Sequence, residues 1–220
     1  MTDTLEILRN ELGNAVMDSS KMIFIAMIIS IIVGGVLGLI LYLTSNKMFF
    51  ENKSINSISG FIINVIRSIP FVILLVVLTP LTEMIVGTNI GPEAATVPLT
   101  VASIAFFSRV AEGAFSEIDN GVIEAAIASG AGFWLIFSDV LVIEALPSLI
   151  RGVTITLVSL VGYSAMAGIV GGGGIGDLAI RYGYYRYETG VMIITVIILV
   201  VIVQAFQLLG DNLSKKFLKR

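Results

Sequence analysis

The stretch at residues 124–147, EAAIASGAGFWLIFSDVLVIEALP, is a polar-edged segment that lies between two long apolar runs. A turn signal, Asp-Asn-Gly at 119–121, precedes it. We expect Glu124 to open a short helix with its carboxylate near the positive end of the helix dipole, and Gly130 can break that helix. The segment also carries closely spaced alanines and aromatics: Ala125, Ala126, Phe133, Trp134 and Phe137. Such a surface suits docking into a groove on a partner protein and is poorly suited to catalysis.

The composition around this segment is that of a polytopic membrane protein. Of 220 residues, 56% are hydrophobic and 13% are charged, whereas soluble domains average about 25% charged residues. The net charge is −3 and the bases are dispersed, which argues against nucleic-acid binding. The chain has no cysteine and no histidine, so it lacks thiol chemistry, disulfides and the commonest metal ligand. We therefore expect no metal site and no catalytic residues.

Five apolar runs predict five membrane-spanning helices, because about 20 apolar residues cross a hydrocarbon core of roughly 30 Å. Their predicted bounds are 22–43, 58–78, 94–110, 140–170 and 191–209. Residues 1–21 lack the basic start of a cleaved signal and are either an amphipathic surface helix or a solvated lead-in. We predict an all-α protein with an N-terminal surface segment (1–21), a transmembrane domain (22–210) containing a docking loop (118–139), and a basic tail (211–220).

Several residues inside the predicted spans have structural roles. The first span carries small residues at a spacing that allows close helix contact: Gly34, Gly35 and Gly38. Arg67 would cost about 2.5–3.5 kcal/mol at the centre of a span, so it should reach the near interface or face protein, as an anchor in preference to a substrate ligand. Pro70 should kink the second span. Pro147 lies near the start of the fourth span, whose first turns should stand outside the lipid.

The distribution of basic residues predicts the orientation. Five spans place the termini on opposite sides, and the C-terminal bases indicate that this end is cytoplasmic. With Arg67 set aside, eight bases then lie inside: Lys47, Lys53, Arg109, Arg151, Lys215, Lys216, Lys219 and Arg220. Four lie outside: Arg9, Lys21, Arg181 and Arg186. This topology also places the docking loop in the cytoplasm and the N-terminus outside.

Two glycine motifs could indicate an enzyme. G-x-G-x-x-G occurs at Gly171, Gly173 and Gly176, but a membrane span precedes it where a dinucleotide site needs a strand, so we interpret it as a close-packed or flexible turn. G-x-G-D, which ends at Asp177, is the signature of intramembrane aspartyl proteases. That chemistry needs two neighbouring carboxylates, whereas the other candidates, Asp139 and Asp211, belong to the cytoplasmic ends of their spans. A P-loop motif is absent, so any ATP hydrolysis belongs to another subunit.

The docking segment and three further stretches carry a family resemblance. Glu124, Ala125, Ala126 and Gly130, at Glu-Ala-Ala-x-x-x-Gly spacing, resemble the EAA loop of bacterial ABC importer permeases. Three stretches resemble the methionine-uptake permease subfamily: RSIPFVILL (67–75), IVGTNIGPEAATVPLT (85–100) and LVGYSAMAGIVGGGGIGDLAIRYGY (160–184). The family's Ile-x-Leu-Pro falls on 140–143 without its proline, and Leu146 and Pro147 supply Leu-Pro slightly later.

The resemblance implies a transporter subunit of the bacterial inner membrane that imports D- or L-methionine and is not itself an enzyme. The cytoplasmic EAA loop would couple to two ATP-binding subunits, which bind the ATP and Mg²⁺, through Glu124, Ala125, Ala126, Gly130, Phe133 and Trp134. The other implied partners are a second copy of this chain, the lipid bilayer and an extracytoplasmic substrate-binding lipoprotein. No nucleic acid and no cofactor in this chain are expected.

A run of small residues in the fourth span is a candidate for the transport pathway. At 162–168 it is interrupted by Tyr163 and Met166, and it includes Ser164. Small residues favour helix packing, but across a twofold axis they would line a narrow pathway in which Met166 could act as an apolar gate. Other readings remain: a permease for another amino acid, an aspartyl protease, or an ion-driven carrier, which would need acids at the bilayer midplane.

Overall fold

The fold is that of a computed structural model, which describes residues 2–218. Within that range every regular element is a helix, which confirms the all-α prediction. The α-helices are α1 (Thr2–Ile29), α2 (Gly35–Ser45), α3 (Lys53–Ser68), α4 (Phe71–Val77), α5 (Thr79–Val86), α6 (Pro92–Ser116), α7 (Asn120–Ala128), α8 (Phe133–Leu135), α9 (Val142–Ala167), α10 (Gly174–Leu178) and α11 (Thr189–Leu218).

Helices long and apolar enough to cross a membrane are Thr4–Ser45, Pro92–Ser116, Phe133–Val170 and Thr189–Phe217. A fifth span is broken: α3 and α4 pass the same test together but are bent by 105°. The five apolar runs of the sequence therefore correspond to four long helices and one broken pair.

The first helix is longer than its apolar run. A π-helical turn, Ser30–Gly34, joins α1 to α2 without a break, so the described part of the predicted surface segment 1–21 continues the first span. The reason is that protein covers this part of the helix. Leu8 and Ala15 are buried in a cluster with residues of α10 and the start of α11, namely Ile175, Leu178 and Val191.

The second span is divided at Pro70. The predicted kink in one helix is instead the end of α3 and the start of α4, because Ile69 takes an extended backbone conformation (ψ 124°), as residues before proline tend to do. The Pro70 carbonyl then accepts hydrogen bonds from Ile73 N and Leu74 N, both at 2.9 Å, and begins α4.

Helix α6 is the central element and packs against α1, α2, α3 and α9. A Cβ on Gly38 would lie 2.5 Å from the Ser108 carbonyl oxygen, and one on Gly34 would lie 3.0 Å from that of Ile104, so the predicted close helix contact is confirmed. Helix α6 also runs six residues beyond the predicted end at Val110, to Ser116.

The fourth and fifth spans also extend beyond their apolar runs. Helix α8, a π-helical segment (Ile136–Leu141) and α9 follow one another without a gap, so the helix begins at Phe133 and runs through Pro147. Residues 168–184 form a close-packed return of short helical pieces, and α11 follows. The predicted tail is helical to Leu218, while Lys219 and Arg220 lie outside the described residues.

The bundle has two ends that matter for function. At the α10 end, the beginning of α1 packs against α10 and the start of α11. At the α7 end, α2, α6, α7 and the start of α9 share a core. Ser19, which contacts Gly174, and Tyr42, in the other core, are separated by roughly 35 Å along the first helix at 1.5 Å per residue.

Candidate functional site

The short helix α7 has defined caps at both ends. The Asp119 carboxylate accepts a hydrogen bond from Gly121 N at 2.7 Å, so the helix begins at Asn120. Glu124 therefore lies in the second turn and does not open the helix, contrary to the prediction. Gly130 takes the left-handed conformation (φ 80°) beyond the last turn, which favours glycine there. The position of Gly130 as the helix breaker is confirmed.

One apolar side chain anchors α7. Ile123 is fully buried at the α7 end, in a core with Tyr42, Phe115 and Ile136. Most of the remaining surface of α7 is open: Val122, Glu124, Ala125, Ile127 and Ala128 are exposed, and Ala126 is half-buried. The structure thus presents Glu124 and Ala125 on a helix whose opposite side is fixed to the bundle.

The aromatic residues after Gly130 do not form one open surface. Phe133 packs against the loop between α2 and α3, with ring centroids 6.3 Å from Phe49 and 5.3 Å from Phe50. Trp134 is 76% exposed, and its ring lies 6.2 Å from that of half-buried Phe137. The part of the predicted docking surface that is open to a partner therefore consists of α7 and Trp134. Phe133 packs against the rest of the protein instead.

The predicted pathway residues lie near the end of α9 but face different directions. Met166 is 42% exposed, on a stripe of α9 that includes Gly162 and Ile169. Ser164 is buried, and its hydroxyl donates to the Val161 carbonyl oxygen at 2.9 Å. Helical positions two apart differ by about 200°, so Ser164 points away from Met166. Buried Ser164 fits the helix-packing alternative and Met166 lies on the exposed stripe, while the pathway role of both stays a prediction.

The other predicted structural residues occupy distinct positions. The Tyr163 ring stacks on that of Phe71 at 4.7 Å, across from the break between α3 and α4. Arg67 lies at the end of α3; the residue is exposed, and its Cζ atom is 6.0 Å from the centroid of Phe106. Pro147 lies inside α9, where its carbonyl oxygen accepts a hydrogen bond from Ser214 Oγ at 3.0 Å.

Sequence reasoning missed a polar network between α3 and α6. The Arg109 guanidinium donates to Glu112 at 2.6 Å, to the Gly60 carbonyl oxygen at 2.9 Å and to Asn64 at 3.1 Å. These partners allow α6 to continue past Val110. The signal available in the sequence was the i, i+3 spacing of an arginine and a glutamate beside an apolar run.

A second ionic cluster lies at the α10 end. Arg181 bridges Asp177 at 3.2 Å and Glu11 at 3.3 Å. Burial raises the pKa of the Asp177 carboxyl, the Arg181 guanidinium opposes that shift, and Glu11 adds to it. This ion pair accounts for the aspartate of the G-x-G-D motif as a contact between α10 and the first helix.

The arrangement does not support the protease interpretation. Asp139 lies in the π-helical segment at the α7 end, and Asp211 neighbours Gly210, which contacts Thr154 of α9. Neither is at the α10 end beside Asp177. Across residues 2–218, no group of three or more acidic, histidine or cysteine side chains could hold a metal ion.

Comparison with known proteins identifies the family. The model of the family described as binding-protein-dependent transport system inner membrane component matches residues 34–219. The chain belongs to this family. The family is that of a membrane component of a transport system, so the chain is a multi-span inner-membrane subunit.

Individual members of the family are similar over nearly the whole chain. The probable D-methionine transport system permease protein MetI of Pasteurella multocida is 46% identical over 93% of this chain and 94% of its own. The methionine import system permease protein MetP of Bacillus subtilis is 40% identical over 82% of each chain.

Solved structures of two transporters share the fold. A structure of the MetNI methionine ABC transporter, in inward-facing conformations, matches with a TM-score of 0.92 at 41% identity over 96% of this chain and 97% of that chain. An amino acid ABC transporter crystallised with histidines matches with a TM-score of 0.75 at 20% identity over 92% of each chain. At that identity the second likeness is one of fold alone.

Proposed function

We propose that this chain is the permease subunit of an ATP-driven importer of methionine. The relatives named as methionine permeases cover more than four-fifths of the chain, at 40% and 46% identity. The structural observation that carries the proposal is the anchored and exposed helix α7. Because the chain has no P-loop, ATP must be hydrolysed by another subunit. Helix α7 offers that subunit an exposed surface that is held firmly by the bundle.

We infer an assembly of two copies of this chain with two ATP-binding subunits. Each copy has one α7, and an importer with two ATPase sites needs two such contacts, which a twofold axis supplies. ATP and Mg²⁺ would bind to the partner subunits. Substrate would arrive on a binding lipoprotein at the α10 end, with the N-terminus outside and the α7 end in the cytoplasm.

The core at the α7 end explains how movement of the ATPases would reach the pathway. Ile123 of α7 packs with Phe115 of α6 and with Ile136 and Leu141, which lead directly into α9. Packed side chains move together because protein interiors have few voids. A displacement of α7 would therefore shift α9, which carries Met166 at its far end, and open the pathway to alternate sides.

Charge reversal at Glu124 tests the coupling. In the reconstituted complex, Glu124→Lys should reduce methionine uptake and copurification of the ATPase by at least about tenfold, because it reverses the one charge on α7. The control Asp211→Lys makes the same change on exposed α11 at the same end and should leave both near wild type. Unchanged copurification in Glu124→Lys would contradict the coupling role of α7, and absence of methionine uptake in wild type would contradict the substrate.

A further inference from the structure

A small cavity lies beside the break between α3 and α4. Its volume is about 210 Å³, and its walls include Arg67, Phe71, Ala102, Phe106 and Tyr163. Pockets for drug-sized ligands measure roughly 300–1,000 Å³, so this one suits a molecule the size of a single amino acid. The break in the second span creates the space, because α4 turns away from the line of α3.

The cavity lies near the middle of the length of the bundle, and Arg67 on its wall is exposed in the single chain. Phe106 is near the middle of α6, roughly 20 Å along the helix from Pro92. A guanidinium at such a depth costs about 2.5–3.5 kcal/mol on insertion scales, and charged groups placed there commonly mark a substrate or ion pathway. Arg67 therefore needs a reason beyond anchoring one end of a helix.

The charge of Arg67 is not neutralised by the protein around it. Among the described residues, the ion pairs within 4.0 Å join Lys53 to Glu51, Arg109 to Glu112, and Arg181 to Glu11 and Asp177. Arg109, also at the contact of α3 with α6, uses its donors on three protein groups. Arg67 makes no ion pair with a described residue; it lies in the last turn of α3, where the helix dipole favours a cation, with the ring of Phe106 at 6.0 Å. Its planar set of donors is free to bind a carboxylate through two hydrogen bonds.

The rest of the cavity is aromatic. Phe71 and Tyr163 stack at 4.7 Å with an interplanar angle of 17°, and Phe106 lies on the side of Arg67. Aromatic rings make favourable contacts with a thioether sulfur, worth about 0.3–1.5 kcal/mol each. One cationic group next to apolar rings matches an amino acid with an uncharged, sulfur-containing or apolar side chain.

We propose that this cavity is a binding site on the transport pathway and that Arg67 binds the α-carboxylate of the substrate amino acid there. The proposal rests on the proposed function. Tyr163 connects the cavity to the exposed stripe of α9 that carries Met166, so a substrate entering from the α10 end would pass the candidate gate before it reaches the cavity. The aromatic rings would contact the side chain of the bound molecule.

The test compares two ligands that differ only at the carboxylate. The permease is purified with its ATP-binding subunits in nanodiscs, without the binding protein. Affinity is measured for L-methionine and for methioninol, in which a hydroxymethyl group replaces the carboxylate. Arg67→Gln should weaken methionine binding about 10- to 100-fold, as expected for hydrogen bonds to a charged group, and leave methioninol binding unchanged. The control Lys53→Gln removes a 91% exposed cation from the same helix and should change neither affinity.

Each result decides the proposal. Equal loss of both ligands in Arg67→Gln would indicate a structural role, and retention of methionine binding would exclude the site; both overturn the proposal. If Arg67→Gln does not assemble, Arg67→Lys serves instead, since it keeps the charge and loses the paired donors: a selective loss for methionine supports the site and its absence refutes it. Methionine uptake by the wild-type complex is measured with binding protein added. If the wild-type complex takes up no methionine, the proposed function and this proposal are both overturned. If uptake is normal but Arg67→Gln changes the affinities for methionine and methioninol equally, only this proposal is overturned.

Discussion

Glycine determines how closely the first helix approaches α6. A side chain at Gly38 would meet the Ser108 carbonyl oxygen at 2.5 Å, which is backbone and cannot move aside easily. Gly38→Ala should therefore destabilise the purified protein, by about 1–3 kcal/mol as is typical for overpacking. The measurement is the thermal unfolding midpoint in detergent.

Gly13 supplies the matched control for Gly38. It lies in α1, and a Cβ there would meet no atom within 4 Å. Gly13→Ala should be neutral or stabilise the helix by about 0.5–1 kcal/mol, because alanine loses less conformational freedom than glycine. Equal midpoints for the two variants would mean that the close contact does not contribute to stability.

Buried Ile123 is the residue on which the position of α7 depends. A helix of nine residues is marginal alone, so its order must come from packing. Ile123→Ala should cost about 2–5 kcal/mol locally, speed amide exchange across 120–128 and reduce ATPase copurification although Glu124 is intact. Ile127→Ala, on the exposed side, should leave amide exchange unchanged. Slow exchange in Ile123→Ala would show that α7 is held by other contacts.

The roles of individual residues could be predicted where they depend on local backbone geometry, and could not where they depend on contacts with other helices. The spacing of Gly34 and Gly38 predicted close packing, and Gly130 predicted a helix end, because both follow from backbone geometry. The sequence left Ser164 open between helix packing and pathway lining, because which face of α9 is covered depends on α1 and α11. The predicted third span ended at Val110 because Arg109 is charged. The sequence does not show that Glu112, Gly60 and Asn64 accept hydrogen bonds from Arg109 and so let α6 continue.

At the scale of helices, the buried hydroxyl of Ser214 forms hydrogen bonds that link α9 to α11. Ser214 donates to the Pro147 carbonyl oxygen at 3.0 Å and accepts from Arg151 Nε at 3.0 Å. Ser214→Ala removes both bonds and should lower stability by about 1–3 kcal/mol, measured by thermal unfolding. Ser138→Ala is the control, because that hydroxyl is exposed and bonds only within its own segment. An unchanged unfolding midpoint in Ser214→Ala would show that these hydrogen bonds do not stabilise the packing of α11 on α9.

The helices themselves were predictable in number but not in extent. The lengths of the apolar runs predicted the five spans, because the thickness of the bilayer sets the minimum number of apolar residues that can cross it. They did not give the ends of the first and fourth helices, since protein contacts at Leu8 and Phe133 carry these helices beyond the apolar run. The sequence marked Pro70 as a kink, but the full break depends on α4 burying Phe71, Leu74 and Leu75 in a new direction.

At the scale of the whole molecule, the two ends of the bundle give the proposed topology a structural basis. Helix α7 and the start of α3, where Lys53 lies, are at one end, while α10 and Tyr187 are at the other. The cavity next to Arg67 and the stripe of Met166 lie between them. A substrate that enters at the α10 end would therefore meet the stripe and the cavity before it reaches the α7 end, where we propose that the ATPases bind.

The absence of cysteine makes this topology directly measurable, because any single introduced thiol is the only one in the chain. Tyr187→Cys and Lys53→Cys place thiols at opposite ends, where the native side chains are 86% and 91% exposed. A membrane-impermeant maleimide added to spheroplasts should label Tyr187→Cys and spare Lys53→Cys, and inverted vesicles should give the opposite pattern. Labelling of Lys53→Cys in spheroplasts would put α7 outside the cell, out of reach of any ATPase, and would refute the coupling mechanism whatever the substrate.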